Sequence, residues 1–155
     1  MSEIKRIQDQ LKRSFFGPAW HGPSLCEALE GVSAELSAAR QPGAHSIREL
    51  VDHSVFWKNV VNRVLRGIDI DLQTEVKRDW PEISDNSEDV WTAARKSLKS
   101  EHESFCATVA GYTEADLERE VMGVKNRYTA YQVMHGVIQH DLYHAGQIVL
   151  LKKPS

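Results

Sequence analysis

Hydrophobic residues recur every three or four positions along most of the chain, which is the spacing of amphipathic helices. The first such stretch ends before Gly17 and Pro18, because proline cannot continue a helix. Its apolar face consists of Ile4, Ile7, Leu11 and Phe15. The pattern therefore predicts a helix at the start of the chain.

Four further helices are predicted from capping boxes, in which Ser, Thr or Asp is followed three residues later by Glu or Gln. These pairs are Ser24 with Glu27, Ser46 with Glu49, Asp85 with Glu88, and Thr129 with Gln132. The predicted helices run over residues 24–39, 46–66, 85–110 and 129–151. Glycine follows the second and third of them, as expected for helix ends.

The segments between these helices contain residues typical of turns and lack hydrophobic residues at helical spacing. Residues 67–84 are rich in Asp and are predicted to form a loop, residues 113–120 a short capped turn, and residues 121–128 a connector. Sustained strand-like alternation is absent. The sequence therefore predicts an all-α fold, a four-helix bundle with one or more long connections and short extra helices, in a single domain over residues 1–155.

Composition narrows the classes of function. The chain has 155 residues, 41% hydrophobic and 26% charged, with a formal net charge of −3, so nucleic-acid and membrane partners are not expected. No apolar run approaches the roughly 20 residues that a membrane span needs. Cys26 and Cys106 lie far apart without metal-ligand spacing and are predicted to be small buried residues. These features favour a cytoplasmic protein, and a homodimer is possible for a bundle of this size.

Three histidines fall on predicted core-facing positions. His140 and His144 are four residues apart on the last helix, which places their side chains about 5–6 Å apart on one face. Two such imidazoles can converge on one ion at Zn–N distances of about 2.0–2.1 Å. His53 lies on the inward face of helix 46–66.

Burial of these three imidazoles without partners would cost free energy, and a shared cation removes that cost. We therefore predict a divalent metal site made by His53, His140 and His144. Gln147, one turn after His144, is predicted to hydrogen-bond to the imidazole nitrogen that faces away from the ion. The alternative is a plain bundle whose core histidines are satisfied by hydrogen bonds.

The segment around His140 has features of two known sequence motifs. It resembles the zinc-protease motif His-Glu-x-x-His only weakly, because Asp141 is shorter than the usual Glu and no further ligand follows at a set spacing. The segment from His140 to Gln147 reads His-Asp-Leu-Tyr-His-Ala-Gly-Gln, which is similar to the DinB-like signature His-x-x-x-His-Arg-Gly-Gln. The stretch from His45 to His53 resembles the entry of that family's second long helix.

The resemblance covers nearly the whole chain, because the order and spacing of the four long helices agree as well. It implies a four-helix bundle whose metal ion is held by one histidine of the second long helix and two of the fourth. Those positions correspond to His53, His140 and His144. Ala145 departs from the pattern, since Arg is common there, and the change removes a cation that could contact an anionic group.

Three histidine ligands leave a tetrahedral ion one open position, which is typical of catalytic sites. Relatives resembling this fold include thiol-dependent transferases and isomerases, as well as metal hydrolases. We therefore expect a hydrolase, with Asp141 or Glu101 as candidate proton acceptor, or a transferase of low-molecular-weight thiols. The alternative is a non-catalytic, stress-associated binding protein with a structural ion. Zn or Ni is expected first, with Fe, Mn or Cu also compatible with imidazole.

The other histidines are predicted to lie outside the site. His135 is nearly opposite the inward face of its helix and should be on the surface or at a subunit contact. His21 and His45 are in loops. His102 lies beside the inward face of helix 85–110 and is not expected to touch the metal.

Overall fold

The computed structural model describes residues 1–122 and 127–153 and contains an all-α helical bundle, which confirms the predicted fold class. Its α-helices are α1 (Glu3–Phe16), α2 (Leu25–Ala28), α3 (Ala34–Ala38), α4 (Ile47–Leu65), α5 (Leu72–Glu75), α6 (Glu88–Ala110) and α7 (Ala130–Leu151). Two strands, β1 (Glu120–Met122) and β2 (Tyr128–Thr129), pair antiparallel. Single turns of 3-10 helix occur at Val76–Arg78 and Glu114–Asp116.

The four long helices α1, α4, α6 and α7 form the bundle, and their contacts fix their directions. Asn59 bonds to Glu101 and Asn62 to Ser104, so α4 and α6 run parallel. The rings of Phe15 and His102 stack while the chain start bonds to the residues after α6, so α1 is antiparallel to α6. The first half of α4 packs with the last half of α7, so these two are antiparallel.

The core consists of two apolar clusters, one toward each end of the bundle. The first contains Phe15, Leu25, Ile47, Leu50, Trp91, Leu98 and Ile148, among others. The second contains Ile7, Leu11, Leu65, Phe105, Val109 and Met134, among others. Lys58, His102 and Asp141 are buried at sequence positions between the residues of these clusters. A polar layer therefore crosses the middle of the bundle.

A long connection links the parallel helices α4 and α6, and we call residues 66–87 the crossover segment. Parallel neighbours require it, because the chain must return to the starting end of α4 before α6 begins. It runs back along α4, where Glu75 pairs with Arg63 at 3.1 Å and Asp79 accepts from the Trp57 indole at 3.0 Å. The predicted long connection is confirmed, but residues 67–84 are not wholly a loop, since they contain α5 and a 3-10 turn.

The predicted helix over residues 24–39 is wrong in one respect, because the structure divides it into α2 and α3. The capping box of Ser24 and Glu27 forms as expected. Gly31 then adopts a φ of +72°, a left-handed conformation that ends a helix. Ser33 caps the second piece by accepting from the backbone N–H of Leu36 at 3.1 Å.

The start of α6 differs from the prediction by two residues. Ser87, and not Asp85, accepts from the first turn, through the backbone N–H of Val90. Asp85 accepts instead from the backbone N–H of Ser87 at 2.8 Å. Glu88 is drawn away from a capping role because its carboxylate accepts from the backbone N–H of Ala34 at 2.8 Å, which ties α3 to α6.

The short sheet before α7 was not predicted from the sequence. A pair of strands of two and three residues is too short to show a period-two pattern. The predicted capped turn is present, with Thr113 and Asp116 bonded reciprocally. Residues 123–126, within the predicted connector, lie outside the described residues. Among the described helices, none combines the length and apolar character needed to cross a membrane.

Candidate metal centre

The structure brings together His53 of α4 with His140 and His144 of α7. The Nε2 atom of His140 lies 3.1 Å from Nε2 of His53 and 3.0 Å from Nε2 of His144. Within the described part of the chain, these residues form a cluster in which each offers one ligand atom, and the three atoms lie within 4.8 Å of one another. The antiparallel packing of α4 against α7 places the three histidines at the same level along the bundle axis.

The outer nitrogens of two of these rings are held by oxygen acceptors. His53 Nδ1 lies 2.5 Å from Oδ1 of Asp79, and His144 Nδ1 lies 2.6 Å from Oε1 of Gln147. A nitrogen that donates to oxygen carries the ring proton, which leaves the other nitrogen as a lone pair. The Nε2 lone pairs of His53 and His144 are therefore directed at the centre of the cluster.

Burial keeps the three imidazoles neutral. It is the largest cause in each case, and it lowers the pKa of His140 to about 3 and that of His144 to about 4. It also lowers the pKa of His53, where Asp79 opposes the shift. Since protonated rings are disfavoured there, the cluster presents neutral nitrogen donors, which is the form that binds metal.

The donor set fits a divalent ion of the zinc type. Three converging imidazole nitrogens, two of them backed by hydrogen-bond acceptors, form the arrangement seen around such ions. Lone pairs only about 3 Å apart repel one another unless a cation or a proton lies between them. The cluster can therefore hold a metal ion.

Asp79 and Trp80 also belong to the centre, and the sequence did not reveal them. Asp79 accepts from His53 through one oxygen and from Trp57 through the other. Trp80 stacks on the His53 ring at a centroid distance of 4.0 Å and on the His45 ring at 3.6 Å. Its φ of +61° is rare for a bulky residue and turns the indole onto His53. No periodicity marks this segment, so only the Asp-Trp pair itself could have drawn attention.

One side of the centre is less buried than the others, and it lies next to a groove between α4 and α7. His53 and His144 are buried, whereas His140 is only partly buried and lines the groove. The groove has a volume of about 220 Å³, and its walls include Trp57, Val61 and Val137. We call it the α4–α7 groove. A small molecule entering it would meet the cluster at His140.

Asp141 and Glu101 lie elsewhere. Asp141 is fully buried and forms an ion pair with Lys58, at 2.5 Å, on the side of α7 away from solvent. It is buried because α7 is covered by α1, α2 and α4, which leaves little of its circumference exposed. Burial raises the pKa of Asp141. Glu101 accepts from Asn59 at 3.3 Å in the contact between α6 and α4.

The remaining histidines stay outside the cluster. His102 is 1% exposed and stacks on Phe15 at 3.8 Å. His135 is partly buried against Tyr131 and lies outside the cluster, and its place on the surface or at a subunit contact stays a prediction. His21 and His45 are exposed, as expected for loop residues.

The two cysteines and Ala145 all lie outside the histidine cluster. Cys26 and Cys106 are half-buried free thiols, each with a pKa raised to about 11 by burial, so they are less enclosed than predicted. Ala145 is 2% exposed and belongs to the first apolar cluster. This position therefore contributes packing to the core of the bundle.

One comparison with known proteins places this chain in a family. A family model described as the DinB superfamily matches residues 21–148, which is most of the chain. The matched range includes all three histidines of the cluster and the whole crossover segment. No curated protein and no solved structure matches the chain.

Proposed function

The chain belongs to the DinB superfamily, and we propose that it binds one divalent metal ion through His53, His140 and His144 and uses that ion in catalysis. The observation that carries this proposal is the convergence of three histidine nitrogens beside a groove that one of the histidines, His140, lines. A site that only stabilises the fold usually has four protein ligands and no access. Here three histidines converge, and one of them faces the groove.

Two reaction classes are compatible with this centre. When bound, the ion supplies Lewis-acid chemistry that activates either a water molecule for hydrolysis or a low-molecular-weight thiol for transfer. We propose a metal-dependent hydrolase or thiol transferase on this basis. Zn or Ni is the expected metal, with Fe, Mn or Cu as alternatives that imidazole ligands also accept.

The residues of this chain supply binding and orientation. Asp79 and Gln147 hold the outer nitrogens of His53 and His144 and so fix their tautomers. Trp80 covers one face of the His53 ring. His140 and Trp57 face the groove by which a substrate would approach. These contacts keep the donors in place before the ion or the substrate arrives.

Partners and location remain predictions from the sequence. The proposal requires a small-molecule substrate, with or without a thiol as second reactant, and it requires neither nucleic acid nor membrane. A cytoplasmic location and a homodimer are compatible with it.

Cobalt substitution tests whether the ion has an open position. The protein is loaded with Co²⁺, and its visible absorption spectrum is recorded before and after addition of 2-mercaptoethanol or acetate. We expect the spectrum to change, because an exogenous ligand can reach the ion from the groove. A spectrum that neither compound alters would indicate a closed site and would overturn the catalytic proposal.

Chelation separates a catalytic ion from a structural one. We expect the helical circular-dichroism signal to survive removal of the metal, since both apolar clusters are formed by residues outside the centre. Collapse of the fold on chelation would favour the alternative, a non-catalytic protein with a structural ion.

A further inference from the structure

We propose that the α4–α7 groove binds an uncharged apolar arm of the substrate, about the size of a phenyl ring or a short alkyl chain, and that Gly136 sets the length of this arm. The inference rests on the proposed function for one point, the placement of the reacting group at His140. The groove itself is a feature of the described residues.

The walls of the groove are mainly apolar. They include Trp57, Val61, Tyr128, Val133, Gly136 and Val137. A cavity of about 150 Å³ lined by apolar side chains can hold a benzene molecule. The groove measures about 220 Å³, so it can take a ring with one or two further carbons.

Two polar groups that line the groove are already engaged, the carbonyl oxygen of Gln132 and the ammonium group of Lys58. Gln132 accepts from the backbone N–H of Thr129 at 2.9 Å. The Lys58 ammonium donates to Asp141 at 2.5 Å and is 1% exposed. Since the Lys58 charge is already paired, a charged arm would lose hydration without gaining an ion-pair partner among these wall residues, which favours a neutral arm.

His140 gives the groove a direction. Its Nε2 faces His53 and His144, and the residue, which is partly buried, also lines the groove. The wall residue Trp57 donates its indole N–H to Asp79, which also holds His53. One end of the groove is thus joined to the metal centre, and a reacting group belongs at that end.

Gly136 leaves space where other helical residues would have a side chain. A Cβ atom built at this position meets no atom within 4 Å, and the residue lines the groove. Glycine inside a helix costs about 1 kcal/mol relative to alanine, so its presence needs a compensating reason. Here the missing side chain widens the groove, which makes Gly136 a specificity-determining residue.

A series of straight-chain hydroxamic acids tests this inference on the zinc-loaded protein. The headgroup binds the ion, and the alkyl tail is lengthened from acetohydroxamic to octanohydroxamic acid. We expect the affinity measured by calorimetry to rise by up to about four-fold for each methylene and to level off near six carbons. Equal affinity along the series would overturn the inference.

Two glycine variants locate the tail. Gly136→Leu should abolish the gain with tail length, so that hexanohydroxamic acid binds at least ten-fold more weakly than to the wild type. Its zinc content and its affinity for acetohydroxamic acid should not change. Gly146→Leu is the matched control, because Gly146 lies on the same helix, is exposed and does not line the groove. A Gly136→Leu protein that keeps the length dependence would contradict the proposed location.

A second measurement keeps the groove separate from the metal. The metal-free protein is titrated with 1-hexanol, and the indole N–H resonance of Trp57 is followed by NMR. The resonance is assigned by its absence from the spectrum of Trp57→Phe. In the wild type, we expect the Trp57 resonance to shift with 1-hexanol concentration until the groove is saturated. In Gly136→Leu, we expect no such shift. If zinc fails to bind but this shift is present, the proposed function falls and the groove stands. If zinc binds but the shift is absent, the groove inference falls alone.

Discussion

Asp79 is the residue on which the orientation of His53 depends. Its two oxygens accept from His53 Nδ1 and from the Trp57 indole, so one carboxylate fixes both a candidate ligand and a wall of the groove. A carboxylate behind an imidazole also makes the opposite nitrogen a stronger donor to a metal. A loop residue far away in sequence thus controls a helix residue.

Replacing Asp79 should weaken metal binding without removing a ligand. We expect Asp79→Asn to lower the affinity for Zn²⁺ by about 10- to 100-fold, because the amide carries no charge and leaves one acceptor oxygen for two donors, His53 and the Trp57 indole. Competition with a chromogenic chelator measures this. Asp69→Asn is the control, since Asp69 is exposed on the same crossover segment. Equal affinities of wild type and Asp79→Asn would show that His53 needs no such support.

His102 should make the protein sensitive to acid. It stacks on Phe15 of α1 and contacts Cys106 of its own helix, and burial, followed by the charge of Lys58 on α4, lowers its pKa to about 3. In the unfolded chain the ring takes up a proton below about pH 6.5. The contribution of His102 to stability is therefore complete above pH 6.5 and decreases as the pH falls toward 3.

The variant His102→Gln isolates this effect. Urea titrations of the metal-free protein between pH 6.5 and pH 4 should show a free energy of unfolding that falls less steeply with acid than in the wild type. The difference in slope should be about 1.4 kcal/mol per pH unit, which corresponds to one proton. Parallel slopes for the two proteins would mean that His102 is protonated in the folded state.

At the scale of elements, the long helices were predictable because hydrophobic residues spaced three or four positions apart are compatible with few structures other than an amphipathic helix. The capping boxes at Ser24, Ser46 and Thr129 also formed, since they involve only neighbouring residues. The break at Gly31 was missed, because the pattern of a short amphipathic stretch does not show whether a glycine within it will adopt a left-handed backbone conformation. The cap at Ser87 was missed because Glu88 is engaged by α3.

The candidate site divides in the same way between local and distant contacts. His140 and His144 follow from helical spacing, and Gln147 from one further turn. Asp79 reaches His53 only because the crossover segment folds back along α4, and no local pattern specifies that path. The salt bridge between Lys58 and Asp141 likewise joins two helices that are distant in sequence. Contacts of this kind require the assembled bundle.

This buried ion pair should couple α4 to α7 strongly. We expect Lys58→Met and Asp141→Asn each to lower the free energy of unfolding by about 3–5 kcal/mol, because each leaves a buried polar or charged partner uncompensated. The double variant should lose much less than the sum of the two, since neither charge remains. Urea denaturation of the wild type, the two single variants and the double variant gives the four free energies of this double-mutant cycle. Additive losses would show that the two side chains do not interact.

At the scale of the whole molecule, the bundle acts as a scaffold around a polar centre. Two apolar clusters hold the ends of the helices, while the middle contains the ion pair, His102 and the histidine cluster. The crossover segment adds Asp79 and Trp80 from outside the four long helices. The centre is thus made from three separate parts of the chain, and its geometry depends on the complete fold.

The most direct test of the central claim is the metal content of purified protein, measured by elemental analysis alongside X-ray absorption. We expect about one divalent ion per chain, with three imidazole nitrogens at about 2.0–2.1 Å. His53→Ala, His140→Ala and His144→Ala should each lose most of the ion, whereas His135→Ala, on the same helix as two of them, should retain it. A wild-type protein without stoichiometric metal, or an unchanged content in His144→Ala, would contradict the claim.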